Sequence, residues 1–271
     1  SQFNKLQSLS LVGFTIDMHD WKILLKSIPF PERIKKLNLS NCSLESIDSF
    51  FTKSYDYQLK ELHLGRNQIQ INGGGFRNYI QRCTNLELLD LSNNDLVELD
   101  VFGSIFTKNS FPKMKRLFLT QENSVYFSSS NPMKWLGNLR NLKCFHMESQ
   151  IGSEHLLSVE GFKFEELFLS PNFKVSNINF SKLKKLSLSS ESFAEIKVNE
   201  FLTLQELKVY FYPNELNYNT VFDCLSKFNN LTSLAFVWMS DCDDELGARI
   251  FDSFRYALDQ LHLLKSISLK N

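Results

Sequence analysis

Apolar residues recur along the chain in a short, regular pattern with polar residues between them. The pattern is L-x-x-L-x-L, in which other large apolar residues stand at some leucine positions, and it occurs eleven times. Its first positions are Leu6, Ile34, Leu59, Leu86, Met114, Leu142, Phe164, Leu183, Leu204, Leu231 and Leu264. Such self-similarity predicts a repeat architecture, in which each copy buries its apolar face only by stacking on its neighbours.

The second and third apolar positions of each copy predict a short β-strand. They lie two residues apart, so both side chains point to the same side of a strand, toward the core. Three copies extend to the longer signature L-x-x-L-x-L-x-x-[N/C]-x-L, at residues 34–44, 59–69 and 86–96. The turn residues of these signatures, Cys42, Asn67 and Asn94, are expected to satisfy backbone groups where the chain bends away.

The segments between the strands predict an outer layer of helices. Apolar residues at helical spacing indicate helices at Asp20–Ser27, Phe76–Cys83, Thr220–Phe228 and Asp243–Leu261. Gly73, Gly74 and Gly75 read as a loop that leads into the second of these. Around Phe164 the spacing falls to 22, 19 and 21 residues, which predicts coils or 3₁₀ turns and a flatter stretch as far as about Leu207.

This repeat resembles the leucine-rich-repeat family over essentially the whole chain. Cys83, three residues before Leu86, is similar to the cysteine-containing, ribonuclease-inhibitor-like class of intracellular members. The resemblance implies an α/β solenoid with a curved parallel sheet, outer helices, about eleven repeats and shorter repeats near 164–207. We expect one solenoid over residues 1–271, part of a longer chain, since neither end carries a capping segment; missing chain or neighbouring subunits would cover the open ends.

Composition narrows the classes of partner. Thirty basic and thirty acidic residues balance, which gives no reason to expect nucleic acid as a partner. Apolar runs stay below the roughly 18 residues that a membrane span requires, so no membrane association is predicted. The five cysteines are an odd number without C-x-x-C spacing, which favours reduced thiols in the cytoplasm.

Motifs for chemistry are weak. The histidines are scattered without H-x-x-x-H spacing, and the glycine triplet lacks a phosphate-loop pattern, so neither a metal nor a cofactor is predicted. His63 and Asp90 hold equivalent positions in adjacent repeats, and with Ser40 or Ser92 they have the ingredients of a catalytic triad. Because nothing supplies an oxyanion hole or a deep pocket, we interpret the pair as structural or partner-binding and the protein as no enzyme.

The strand side that faces away from the core, the concave side of a solenoid, is the predicted binding surface. Its central column contains His63, Asp90, Phe118, His146 and Phe168, and Arg116, Glu148 and Glu166 flank the three aromatic side chains. An aromatic centre with a polar rim is typical of binding hot spots, although the general excess of phenylalanine, 25 residues, explains Phe118 and Phe168 equally well.

The predicted function is therefore a non-catalytic protein–protein interaction scaffold or a subunit of a larger assembly. Its partner is a protein that contacts the concave sheet. Two alternatives stay open: the outer helices or the solenoid ends carry the main contact, or the chain is the substrate-recognition module of a larger enzyme such as a ubiquitin ligase or a kinase.

Overall fold

The computed structural model describes most of the repeat strands and part of the segments between them. The described residues are 5–15, 19–20, 23, 33–47, 58–71, 74–96, 99–123, 133–149, 155–158, 161–176, 181–195, 203–211, 218–225, 227–239 and 253–270. The chain divides into two compact units, Ser1–Leu142 and Lys143–Asn271. The prediction of one solenoid over residues 1–271 stays a prediction.

The first unit is built on five parallel strands, each paired with the next along the chain. They are β1 (Ser8–Ser10), β2 (Lys36–Asn38), β3 (Glu61–His63), β4 (Leu88–Asp90) and β5 (Arg116–Phe118). The register places Leu37, Leu62, Leu89 and Leu117 side by side, and all four are at most 1% exposed. These leucines form the core side of the strands, as the repeat pattern predicts.

The second unit continues the same pattern with six parallel strands. They are β6 (Cys144–Met147), β8 (Glu166–Leu169), β10 (Lys185–Ser189), β11 (Glu206–Phe211), β12 (Ser233–Trp238) and β13 (Ser266–Lys270). Their core residues are again in register, from Phe145 beside Leu167 to Leu234 beside Ile267. Ile267 is 46% exposed because β13 is an edge strand of the described sheet.

Short helices return the chain between several of these strands. In the first unit they are α1 (Gly74–Ile80) and α2 (Phe102–Ile105), with 3₁₀ turns at Leu99–Val101 and Lys134–Asn138. In the second unit they are α3 (Ser190–Glu195) and α4 (Tyr218–Leu225), and residues 253–258 are also helical. Helix α1 begins inside the glycine triplet, at Gly74.

The predicted helices at 76–83 and 220–228 correspond to α1 and α4, each beginning two residues earlier than the sequence indicates. Within the helix predicted at 243–261, residues 253–258 are helical and 243–252 lie outside the described residues. Within the helix predicted at 20–27, Asp20 and Ile23 are helical and the others lie outside the described residues.

Two of the short repeats return the chain through strands and the third contains helix α3, so the prediction of coils or 3₁₀ turns is wrong for these segments. Along the chain, strand β7 (His155–Ser158) follows β6 and precedes β8, and strand β9 (Phe173–Ser176) follows β8 and precedes β10. They pair with each other in parallel as a separate two-stranded sheet. An extended segment covers about 3.3 Å per residue against 1.5 Å for a helix, so a strand spans the return path with fewer residues.

Phenylalanine fills the space between the core side of the strands and the returning segments. Among the described residues, the ten largest fully buried side chains are all phenylalanines. In the first unit Phe106 packs between Phe102 and Trp135, with ring centroids 5.4 and 5.0 Å away. In the second unit Phe236 contacts Phe211 at 5.3 Å and Phe222 at 5.8 Å. Most phenylalanines of the part of the chain that the structure describes therefore belong to the core.

Buried polar side chains join the turns that follow strands β2 to β5. This turn ladder consists of Cys42, Asn67, Asn94 and Gln121. The Asn67 amide donates to the carbonyls of Leu39 and Leu64, and its Oδ1 accepts from the backbone N–H of Cys42 at 2.9 Å. Each step ties one turn to the next, which is the role predicted for the turn residues.

Candidate functional site

The side of the strands opposite the core carries the predicted site, and we call it the open face. Its central column in the first unit is Ser10, Asn38, His63, Asp90 and Phe118. In the second unit the column is His146, Phe168, Ser187, Lys208, Ala235 and Ser268. Within each unit these residues are direct neighbours across the strands, as the repeat spacing predicts.

His63 and Asp90 form a polar pair in the first unit. Nδ1 of His63 lies 3.8 Å from Oδ2 of Asp90, and both side chains are about a quarter exposed. Burial raises the pKa of the Asp90 carboxyl, but the adjacent His63 imidazole and the polar groups of Ser92 outweigh it, so the pKa lies below its ordinary value.

The same contacts argue against a catalytic triad at this pair. The backbone N–H of Ser92 donates to Oδ1 of Asp90 at 3.0 Å, and the backbone N–H of Ser40 donates to Asn38. A triad requires the serine on the histidine and the carboxylate behind it. Here the serine bonds to the carboxylate, so the arrangement positions Asp90.

Charged side chains flank this column. Nη2 of Arg116 lies 3.3 Å from Oε1 of Glu61, and Nζ of Lys36 lies 3.1 Å from the same oxygen. Leu88 stands between Glu61 and Arg116 in the register, and the arginine reaches across it, so Leu88 is only 3% exposed. Phe118 is half-buried on β5, beside Asp90.

Three metal-ligating side chains converge on the open face of the second unit. Sγ of Cys144 lies 3.3 Å from Nε2 of His146 and 3.4 Å from Oε2 of Glu166. The same two atoms of His146 and Glu166 are 3.3 Å apart. Burial is the main reason that the pKa of His146 lies below its ordinary value, with Glu166 acting in the opposite direction.

A second cluster on this unit is centred on Glu148. Its Oε1 accepts hydrogen bonds from Ser187 Oγ at 2.9 Å, Lys208 Nζ at 2.8 Å and Tyr210 OH at 2.6 Å. Burial alone would raise the pKa of Glu148, but the bonds from Lys208 and Tyr210 outweigh it and the pKa is lowered. Burial, with the same carboxylate acting in the same direction, raises the pKa of Tyr210.

The predicted site residues therefore fall into separate groups. His63 contacts Asp90, and Arg116 contacts Glu61. His146 packs on Phe168, with ring centroids 4.3 Å apart, and contacts Glu166. Glu148 belongs to the cluster with Lys208.

Sequence reasoning missed Cys144 and Tyr210. The available signal was the same alternation that fixed the column, because Cys144 lies two residues before His146 and Glu166 occupies the equivalent place in the next repeat.

Comparison with known families supports the repeat assignment. The Leucine Rich Repeat family model matches residues 33–54 and 85–108, which contain strands β2 and β4 with their turns. The cysteine-containing class stays a prediction, since this model does not distinguish it. A comparison with curated proteins found no match. The strand register and the core of both units confirm the predicted α/β fold, and the chain is a leucine-rich-repeat protein.

Proposed function

We propose that this protein is a non-catalytic interaction module whose open face binds a protein partner. The observation that carries the proposal is the composition of the central column. Its half-buried polar and aromatic side chains, His63, Asp90 and Phe118 among them, alternate with leucines that are fully buried. The leucines fill the core, whereas the column residues lie outside it and present their side chains for recognition.

Preorganisation of this face supports binding. Asp90 is fixed by His63 and Ser92, and Glu148 is fixed by three donors from strands β10 and β11. Side chains already held in one conformation lose little entropy when a partner contacts them, which is a general source of affinity. The pairs also set a definite pattern of donors and acceptors on the face.

The chemistry of the face favours protein over nucleic acid. Basic side chains at the strand starts are paired with carboxylates, as Lys36 is with Glu61 and Lys143 is with Glu165. A surface with balanced charge lacks the excess of positive charge that phosphate backbones require. Aromatic side chains beside charged groups are instead typical of protein interfaces. No helix among the described residues is long and apolar enough to cross a bilayer.

We place the interaction in the cytoplasm, as a scaffold or subunit of a larger assembly. The supporting observation is that the four described cysteines, Cys42, Cys83, Cys144 and Cys224, are buried and form no disulfide among themselves. Burial raises the pKa of Cys83 to about 12, so this thiol stays protonated and unreactive. Reduced buried thiols suit a reducing compartment.

Site-specific photo-crosslinking in cells tests the proposal. A photoreactive phenylalanine analogue replaces Phe118 or Phe168 on the open face, and control positions are the exposed Arg77 on α1 and the exposed Lys227. We expect adducts with a common protein from the open-face positions and none with that protein from the controls. Adducts only from Arg77 or Lys227 would move the interface to the helix side and overturn the proposal.

A further inference from the structure

We propose that Cys144, His146 and Glu166 form a zinc-binding site with three protein ligands and an open fourth position. The three side chains each offer one ligand atom, and all three atoms lie within 4.8 Å of one another. This group lies entirely in the second unit, on β6 and β8. The proposal concerns a ligand that partner binding through the open face does not require, so the two stand independently.

The distances between the ligand atoms fit one tetrahedral ion. Zinc bonds of about 2.05 Å to nitrogen and oxygen and about 2.3 Å to sulfur place ligand atoms roughly 3.3 Å apart for N and O and roughly 3.5 Å apart when sulfur is one of the pair. The observed separations are 3.3 Å from His146 to Glu166, 3.3 Å from Cys144 to His146 and 3.4 Å from Cys144 to Glu166. An ion needs only small side-chain shifts to bind all three.

The strands hold the ligands in place. Cys144 and His146 are two residues apart on β6, so both project from the open face, and Glu166 is the direct neighbour of Cys144 on β8. Regular strands position ligands more rigidly than loops do.

Neighbouring side chains orient two of the ligands further. Phe168 packs against the His146 ring at a centroid distance of 4.3 Å. Lys185 lies 3.9 Å from Oε1 of Glu166, which leaves Oε2 toward the other two ligands. Contacts between the ligand side chains and their neighbours typically influence the affinity for the metal.

The donor set selects the ion. A thiolate, an imidazole and a carboxylate match the sulfur, nitrogen and oxygen ligands of zinc, whereas Mg²⁺ and Ca²⁺ prefer oxygen alone. Binding releases the Cys144 thiol proton to solvent, because the thiolate is the ligand form. The thiolate and the Glu166 carboxylate then balance the charge of Zn²⁺. The described residues supply three ligands, and the fourth position is assigned to water on the solvent side, where His146 and Glu166 are 23% and 33% exposed.

The geometry is unsuited to the competing chemistry of a catalytic thiol. A cysteine nucleophile needs one imidazole nitrogen on the sulfur and the other on an orienting carboxylate. Here the same nitrogen, Nε2 of His146, faces both Cys144 and Glu166. Cys144 is also only 5% exposed, which shields its sulfur from a substrate. Three atoms that converge on one point serve an ion better than a proton relay.

Metal titration of the full chain tests the site. The protein is reduced, freed of metal with a chelator and titrated with Zn²⁺ in competition with a chromophoric chelator, and Co²⁺ serves as a spectroscopic probe. We expect one Zn²⁺ per chain and a cobalt spectrum with thiolate charge-transfer absorption. Cys144→Ser and Glu166→Gln should each weaken Zn²⁺ binding by about 100-fold or more, and Cys144→Ser should abolish the charge-transfer band.

Matched controls separate this site from other thiols and histidines. Cys224→Ser removes another buried thiol of the same unit, and His63→Gln removes a histidine that faces a carboxylate without a thiol. Both should bind Zn²⁺ as the unmodified chain does. The Glu166→Gln variant decides the matter if Cys144→Ser folds poorly, since Glu166 lies outside the core. Substoichiometric binding, or equal affinity in the Glu166→Gln variant, would overturn the site.

Discussion

The side-chain amide of Asn94 lies almost fully buried between two turns and bonds to backbone groups of both. It donates to the carbonyls of Leu64 and Leu91, at 2.9 and 3.0 Å, and accepts from the N–H of Ile69. Asn94→Ala leaves these buried groups without their partner, so we expect a loss of about 2–4 kcal/mol in the free energy of unfolding. Urea denaturation monitored by circular dichroism measures it.

Asn141→Ala is the matched control for this prediction. Its amide donates to the carbonyl of Pro112 at 2.7 Å, but the bond is exposed and water replaces it. The loss should stay below about 1 kcal/mol. Equal losses in the two variants would contradict the role of the turn ladder.

The lowered pKa of Asp90 makes a prediction about pH. A carboxyl whose pKa is lower in the folded state stabilises the fold above its ordinary value of 3.8, and that contribution is lost as the pH falls through the folded value. Asp90→Asn should therefore cost about 1–3 kcal/mol near neutral pH, and the difference from the unmodified protein should shrink in acid below about pH 3.8. Urea denaturation across this range measures both.

The exposed Asp95 provides the comparison for Asp90. Asp95→Asn removes the same charge from the same unit, five residues away, and should change stability by less than about 0.5 kcal/mol at every pH. A difference between Asp90→Asn and the unmodified protein that stays constant into acid would show that the carboxylate charge of Asp90 does not stabilise the fold.

The sequence predicts a residue of the turn ladder only where that residue keeps its place in the longer repeat signature. Asn67 and Asn94 stand at the signature position, but the third step is made by Gln121, one residue before that position, where Glu122 stands. The longer glutamine side chain reaches the same backbone groups from an earlier place in the turn. The cluster of Cys144, His146 and Glu166 is missed for a related reason. Glu166 comes from a different strand, and a search for motifs along the sequence does not show which residues the strand register places side by side.

Among the elements, strand β4 has a core position that is fully buried. Leu89 is 0% exposed between Leu62 and Leu117. Leu89→Asp places a charge there without water or a partner, so we expect a loss of about 4 kcal/mol or more and local unfolding of β3 to β5. Thermal unfolding gives the first quantity, and hydrogen exchange of the strand amides gives the second.

Asn38→Asp adds the same charge on the open face of β2, two strands away from β4. The aspartate keeps an oxygen for the backbone N–H of Ser40, which now donates to Asn38 at 3.0 Å. Its melting temperature should stay within a few degrees of the unmodified protein, about 1 kcal/mol or less. An unchanged transition in Leu89→Asp would instead mean that core and open face have been exchanged.

The repeat pattern predicts the strands, but it does not predict the secondary structure of the segments that return the chain between them. Two leucines at alternate positions suffice to predict each repeat strand, because a one-residue slip would expose the whole core side. The segment that contains His155–Ser158 has no comparable pattern, and its short length predicts a coil or a 3₁₀ turn, whereas the structure forms a strand there. Pairing with Phe173–Ser176, a contact between two different repeats, stabilises the extended conformation of this segment.

At the scale of the whole molecule, each unit presents an open face with its own aromatic residue. Phe118 lies on β5 of the first unit, and Phe168 lies against His146 in the second. Both are half-buried, so truncation removes little core packing. Their roles can therefore be tested one unit at a time and then together.

Phe118→Ala and Phe168→Ala should each weaken binding of the protein captured by crosslinking, because truncation of an aromatic hot spot costs about 2 kcal/mol, or roughly 30-fold in affinity. Their melting temperatures should change little. Phe145→Ala serves as the contrast: this ring is fully buried on β6, and its loss should cost about 3–5 kcal/mol of stability. Calorimetric titration and thermal unfolding of all three variants give the result. Unchanged affinity in the double variant Phe118→Ala/Phe168→Ala, with an unchanged melting temperature, would exclude these rings from the interface, and a melting temperature lowered as far as in Phe145→Ala would place them in the core.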